Sequence, residues 1–391
     1  MTPYFGIIQT LCRAFFADDK ECVMHNIQTL AEAYRQDGHL EESKSLERLL
    51  KLVQSTRTLT SSVITTSHAK IIGETLTTQT IIPVDKETAA PLLEVIFPEK
   101  LPIEEPIFTT QIQEAVNSVI VEWANYSQLI EMNATPSRSC LIYGLPGTGK
   151  THLAKWLAKR VGLPIVLAKL DGIVSSFLGT SSRNISNLFS FANKYKCILL
   201  LDEFDAIAKL RNDPQEVGEV KRIVNTLLQC LDSRNEIGFT IGVTNHEQLL
   251  DPAIWRRFDV QIEIPKPSKE VIYSLLKKFT YPIEYNDTEL FFLSWCLQEA
   301  SGADIQKLTN WLKRMQLIPE YRDENLIDLM RRYILLNTGR ISTLVKDALS
   351  STTEEIYQFL AKDNPDLKKK DFAELFNMTP SSFSKLISKK Q

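Results

Sequence analysis

Long hydrophobic runs are missing from this chain of 391 residues. No stretch approaches the roughly eighteen uncharged apolar residues that a spanning helix requires. Strong net charge is also missing. The balance is −3, so the chain as a whole is no polybasic binder of nucleic acid or membrane, although a local basic patch is not excluded by it. The N-terminus has no basic residue before its first apolar stretch, and Arg13 and Asp18 interrupt any signal-peptide core. A cytoplasmic protein is expected. The six cysteines, at 12, 22, 140, 197, 230 and 296, form no CxxC pair. They read as reduced, buried thiols. Neither HExxH nor a serine in GxSxG occurs, so the chain has no protease signature of its own. What is present is 43% hydrophobic and 24% charged residues. That is an ordinary globular composition, with enough chain for two to four domains.

Apolar positions Ile7, Ile8, Leu11, Phe15 and Phe16 recur at helical spacing. A second run from His25 to Tyr34 ends at the turn Gln36-Asp37-Gly38. A third carries Leu46, Leu49, Leu50 and Val53. Together they suggest a small three-helix unit. A polar, hydroxyl-rich linker follows, with short strands expected around Ile71-Ile72 and Ile81-Ile82. Beyond it, strand-like runs at Leu141–Tyr143, Pro164–Leu167, Cys197–Leu201 and Phe239–Val243 alternate with helical patterns. Alternation of this kind predicts a parallel sheet with helices on both faces. After Pro265 and Pro267 the pattern is helical to the end.

Gly144-Leu145-Pro146-Gly147-Thr148-Gly149-Lys150-Thr151 fits G-x-x-x-x-G-K-[ST], directly after a strand and before a helix that opens with His152. Its glycines let backbone N–H groups turn toward phosphate oxygens, and the helix N-terminus adds its positive dipole end. Lys150 is expected to reach the β- and γ-phosphates of ATP, with the Thr151 hydroxyl on Mg²⁺. Further on, the apolar run Ile198–Leu201 delivers Asp202 and Glu203 to the carboxyl end of a strand, where ligands sit in open α/β sheets. Asp202 is expected to hold Mg²⁺, and Glu203 to polarise the attacking water.

These residues resemble the AAA-type ATPases. Gly144–Thr151 is similar to their Walker A motif and Ile198–Glu203 to Walker B. Asn245, after Phe239–Val243, is similar to the polar sensor. Asp251-Pro252-Ala253-Ile254-Trp255-Arg256-Arg257-Phe258-Asp259 resembles the second region of homology, and Ser301-Gly302-Ala303-Asp304 the lid motif. The resemblance implies an α/β P-loop AAA module with a parallel sheet and a helical lid, flanked by small helical N- and C-terminal domains. The expected division is 1–54 as the N-terminal domain, 55–87 as linker, 88–265 as the ATPase subdomain, 266–338 as lid and 339–391 as a C-terminal helical piece. Gly144, Pro146, Gly147, Thr148, Gly149, Lys150, Thr151, His152 and Asp202 would bind the nucleotide, with Gly302 and Ala303 packing near it. The usual adenine-side glycine is absent, which leaves residues near Ile107 for that contact.

The resemblance also implies a homo-oligomeric ring, most often a hexamer, in which an arginine of one subunit completes the site of the next. Arg256 and Arg257 are adjacent here, and both stand as candidates. A solvated basic pair is the other reading. Phe177-Leu178-Gly179 resembles the pore loop of family members that thread polypeptide, with plain core as its alternative. Some bacterial relatives of this type work beside a separate protease. Asp371–Ile387 resembles a helix-turn-helix. Around it, residues 363–391 hold six lysines (368, 369, 370, 385, 389, 390) against four acids (363, 366, 371, 374). DNA is the partner that charge suggests, and a packing element is the competing reading. The expected function is therefore an ATP-driven protein remodeller, with a nucleic-acid-associated ATPase as the alternative.

Overall fold

Six strands form one sheet in a computed structural model of the chain. The model describes residues 10, 20–37, 39, 43, 44, 46, 73–134, 136–170, 173, 180–208, 217–235, 238–322, 324–363 and 368–388. The strands are β1 (Leu93–Ile96), β2 (Ser139–Tyr143), β3 (Ile165–Ala168), β4 (Ile198–Leu201), β5 (Phe239–Thr244) and β6 (Val260–Glu263). Their spatial order is β1-β3-β4-β5-β2-β6. All neighbours are parallel except β1, which runs antiparallel to β3. The expected parallel sheet therefore gains an antiparallel edge. The cause is local, since β1 lies outside the alternating strand–helix series whose crossovers force parallel pairing.

Every residue of β4 and β5 is buried, as strands covered on both faces require. Alternate side chains feed two cores. Leu141, Val166, Leu199 and Leu201 pack with Ile185, Leu188, Leu227 and Leu231. These come from α5 (Ser181–Lys194) and α7 (Val217–Asn235). On the other face Ile142, Ile165, Leu200 and Ile241 meet Val116, Trp123 and Leu153. Those belong to α2 (Thr110–Ala124) and α4 (Lys150–Val161). Burial in α5 recurs at Ser181, Asn184, Ile185, Leu188, Phe189 and Ala192, one stripe of a 3.6-residue repeat. Two short helices, α3 (Tyr126–Glu131) and α6 (Asp205–Ala208), follow α2 and β4. Residues 73–92 lie against this core, where Leu76, Asp85 and Leu92 are buried.

A third core holds the helices from residue 269 onward. It runs from Ile272 through Leu293, Leu312 and Met330 to Leu349, Phe372 and Phe383. The helices contributing to it are α9 (Lys269–Thr280), α10 (Asp287–Cys296), α11 (Gly302–Leu317), α12 (Leu326–Leu336), α13 (Thr343–Ser350), α14 (Thr353–Asp363), α15 (Lys369–Leu375) and α16 (Pro380–Ser388). The four-residue α8 (Pro252–Trp255) precedes β6. Several N-caps are supplied by side chains. Ser268 caps α9, Asn286 caps α10, Asn325 caps α12 and Ser342 caps α13. Each cap satisfies a backbone N–H that the helix leaves without a partner.

The chain divides into two compact units, Met1–Ser67 and His68–Gln391. In the first, α1 (Lys20–Gln36) covers the expected helical run His25–Tyr34 and buries Leu30 and Ala31. The Ser43 hydroxyl donates to the Ala31 carbonyl at 2.8 Å. The other two expected helices of this segment fall largely outside the described residues, and so does Phe177-Leu178-Gly179.

Candidate functional site

Three parallel strands end on one cavity. The carboxyl end of β2 opens into the loop Gly144–Gly149, β4 into Asp202-Glu203 and β5 into Asn245. The cavity measures ≈ 500 Å³, within the usual range for a small-molecule site. Gly147, Thr148, Gly149, Lys150, Thr151, His152, Asp202, Glu203 and Asn245 line it, together with Pro146, Gly302 and Ala303. Gly144 does not line it. Its φ of 136° and its approach to the Ile264 carbonyl leave no room for a Cβ. Its role is to start the loop.

Lys150 opens α4 and is only 4% exposed. Its ammonium donates to the carbonyls of Gly144 at 2.8 Å and Leu145 at 2.7 Å. Burial pushes its pKa below the ordinary lysine value, while Asp202, Glu247 and Asp205 pull it back up. The next residue, Thr151, donates its hydroxyl to Asp202 Oδ1 at 3.2 Å. One hydroxyl and one carboxylate side by side make an oxygen donor set that fits Mg²⁺. Glu203 follows with φ of 52°, a left-handed conformation that costs a non-glycine residue about 1–3 kcal/mol. It is an exposed carboxylate on the cavity wall beside Asn245.

The lid motif docks on the phosphate loop. Ser301 caps α11 in a reciprocal capping box with Asp304. The Ala303 N–H then donates to the Gly147 carbonyl at 3.0 Å. A Cβ on Gly147 would come within 2.7 Å of Ser301 Oγ, and one on Gly302 within 3.3 Å of the Gly147 carbonyl. Small residues on both sides therefore permit the contact. Burial raises the Asp304 pKa, but hydrogen bonds from Ser301 and Arg340 outweigh it, so this carboxyl lies below its ordinary range.

The two arginines lie at the opposite end of the sheet. The Asp259 carboxylate accepts from the N–H groups of Arg138 at 2.8 Å and Ser139 at 3.1 Å, which fixes this segment at the amino end of β2. The phosphate loop leaves the carboxyl end of the same five-residue strand, about 13 Å away at the usual rise. Asp251 caps α8 by accepting from the Ala253 N–H at 2.7 Å. Arg257 is held internally. It grips Asp232 with two bonds of 3.0 and 3.2 Å, and a third reaches the Ala253 carbonyl. Arg256 is exposed; its backbone N–H donates to the Pro252 carbonyl at 3.3 Å, and its guanidinium makes no hydrogen bond or ion pair with another described residue.

The rest of the cavity is closed by the neighbourhood of Ile107, which the sequence reading named, and by helix residues that it did not. Glu104, Pro106, Ile107 and Phe108 come from the segment before α2. Leu275, Lys278 and Phe279 come from α9, and Gln306 from α11. Ile107 had been the expected adenine-side contact, and it lines the cavity. Lys278 bonds Glu104 at 2.8 Å, and His152 Nε2 lies 3.2 Å from the Glu104 carbonyl. No local motif announces these contacts.

The sequence profile of the ATPase family associated with various cellular activities (AAA) matches residues 140–266. An AAA family ATPase of Sinorhizobium fredii is 34% identical over 232 residues, which cover 59% of this chain and 69% of that protein. Proteasome-activating nucleotidase 2 of Haloferax volcanii is 32% identical over 254 residues, 61% of this chain and 60% of its own. The ATP-dependent zinc metalloprotease FtsH of Aquifex aeolicus is 31% identical over 209 residues, 51% of this chain and 33% of its own. The chain thus spans only part of each of these relatives. The same stretch of sequence carries the phosphate loop, the strand-end carboxylates and the β5 asparagine, and with the Sinorhizobium relative it establishes that the chain belongs to the AAA family of ATPases.

Proposed function

We propose that this chain forms an ATP-hydrolysing ring that remodels, unfolds or threads a protein substrate through a central pore. The carrying observation is a site divided between two ends of the sheet. Lys150, Thr151, Asp202, Glu203 and Asn245 converge on one cavity, while Arg256 sits exposed at the other end of β2. A second copy of the chain supplies the missing cation, and a closed ring of copies, a hexamer in this reading, repeats that contact. In this division 88–265 is the ATPase subdomain and 266–338 the lid, with 1–54 joined to it through the linker 55–87 and 339–391 following the lid as a C-terminal helical piece.

The roles follow from charge. Lys150 binds the β- and γ-phosphates, aided by the N–H groups of Gly147–Thr151. Thr151 and Asp202 hold Mg²⁺, which when bound neutralises phosphate charge. Glu203 takes the proton of the attacking water, and Asn245 orients that water. Arg256 of the neighbouring subunit neutralises the transferring phosphoryl group, a contribution of about 10³–10⁵ in rate. Gly302 and Ala303 seat the lid. Phe177, Leu178 and Gly179 are assigned to the pore on sequence alone.

The names of the nucleotidase and metalloprotease relatives concern proteolysis. This chain has no HExxH in its sequence, so any such coupling needs a separate protease. No helix among the described residues is long and apolar enough to cross a membrane, and we place the protein in the cytoplasm. The deciding experiment compares stimulation of ATPase activity by an unfolded polypeptide and by duplex DNA. Stimulation by polypeptide alone supports the remodeller; stimulation by DNA alone overturns it.

A second reading, docking on DNA, has one specific observation in its favour. α15 and α16 are joined by a turn with Asn377 at φ of 52°, and Thr379 caps α16 by accepting from the Ser382 N–H. Tyr357 packs against Phe372 and Phe383 at 5.0 and 5.4 Å, completing a three-helix arrangement. Ser382, Ser384 and Lys385 are exposed on α16.

A further inference from the structure

One hydroxyl ties together the two strand ends that carry the proposed base and its partner. β4 and β5 are in register to Leu201↔Gly242. The Phe204 N–H then donates to the Val243 carbonyl at 2.9 Å, which extends the pairing past the strand. Between these two anchors Glu203 turns out through its left-handed conformation. Two residues after Glu203, the Asp205 carboxylate accepts a 2.9 Å hydrogen bond from the Thr244 hydroxyl. The same hydroxyl accepts from the His246 N–H at 3.0 Å. Thr244 is fully buried. Its oxygen thus closes the arc Thr244-Asn245-His246 on one side and fastens it to the residue that begins α6 on the other.

Neither Asp205 nor Thr244 lines the nucleotide cavity, whereas their neighbours Glu203 and Asn245 do. We propose that Thr244 and Asp205 are positioning residues that hold the Glu203 carboxylate and the Asn245 amide in one fixed geometry around the attacking water. This rests on the reading of Glu203 and Asn245 given above. The physical expectation is a selective effect. Phosphate binding depends on Lys150 and the loop; neither residue is hydrogen-bonded to them, and the charge through which Asp205 acts on Lys150 stays in place in Thr244→Val. The attack step depends on carboxylate and amide being aimed at one point, and misplacement on the order of 1 Å can cost about 10²-fold.

The test uses the full chain. Thr244→Val keeps the shape and removes both hydrogen bonds, Thr244→Ser keeps the hydroxyl, and Asp205→Asn keeps an acceptor without charge. Steady-state kcat and KM for ATP are measured beside titration with a fluorescent ATP analogue and a thermal melt. Thr244→Val should lower kcat by about 10- to 100-fold, with KM and analogue affinity within about threefold of wild type, and Thr244→Ser should recover most of the rate. Loss of affinity in step with rate, or no rescue by serine, overturns the proposal in favour of a purely structural bond. If Thr244→Val does not fold, Asp205→Asn decides. A folded Asp205→Asn with unchanged kcat overturns the strut, and one with reduced kcat and retained affinity supports it. Glu203→Gln is run in parallel. Wild-type turnover there removes the base assignment itself, whereas an inactive Glu203→Gln beside a fully active Thr244→Val removes only the strut.

Discussion

Lys278 and Glu104 form an ion pair of 2.8 Å between the lid helix α9 and the segment leading into α2, and both line the nucleotide cavity. The pair bridges two walls of that cavity. Glu104 is 73% exposed, so water and salt screen it. Lys278→Ala should speed nucleotide release by about two- to fivefold, and high salt should erase the difference. Stopped-flow release of a fluorescent nucleotide at two ionic strengths reads this directly. The Lys278 contact holds the Glu104 carboxyl below its ordinary pKa. The contact is therefore present above the usual carboxylate range and is lost only as pH falls through the depressed value.

Lys150→Ala should abolish ATP binding, because the phosphates lose the one buried ammonium on the described cavity wall. Unchanged affinity in a folded variant would remove the phosphate-loop assignment. Glu203→Gln should bind ATP without hydrolysing it and trap the assembled ring, measurable by size-exclusion chromatography with and without ATP.

Arg256→Ala should lower turnover by about 10³ or more with nucleotide binding intact. A mixing experiment tests action between subunits. Arg256→Ala copies have intact phosphate sites, and Lys150→Ala copies have intact arginines. Mixed, they should regain activity that neither shows alone. Arg257→Ala should lower stability as well as rate, since it frees Asp232 and the end of α7.

Phe177→Ala should keep basal hydrolysis within a few-fold and lose the coupling to a polypeptide substrate. A normal melting curve with full unfolding activity would end the pore-loop assignment.

Phe383→Ala should cost about 3–5 kcal/mol and melt the lid together with the C-terminal helices. The ring of Phe383 is fully buried in the same core as Ile272 and Leu293. Two separate transitions in calorimetry would argue against one cooperative core.

The chemistry of the phosphate end was legible because it is local. Glycines, lysine and threonine sit within eight consecutive positions, and a four-residue apolar run announces Asp202. The lid motif could be found by spacing, but its reason could not. Ser301 and Asp304 are a helix cap, and Gly302 is small because a loop from 155 positions earlier lies against it. At the other end only the neighbourhood of Ile107 was named, and the share of α9 was hidden. Lys278 and Glu105 are 173 positions apart, and nothing in either segment names the other. β1 and β6 were also unread. Each is four residues long at a sheet edge, with only partial burial, so neither produces the continuous apolar run that marked β4. The arginine pair shows a different limit. Sequence offers two equivalent candidates, and only the position of Asp232 separates a tethered guanidinium from a free one.

The continuous packing from α9 to α16 has a mechanical meaning. A lid with its own core could pivot and leave the chain terminus behind. Here the last helix shares the lid's core, because Phe383 packs on Tyr357 and Phe376 in the same cluster that holds Ile272 and Leu293. The lid in turn is pinned to the phosphate loop at the Ala303–Gly147 bond. A tilt imposed at that pin should carry through the shared core to α16. A spectroscopic label at exposed Ser384 should therefore report the state of the bound phosphate.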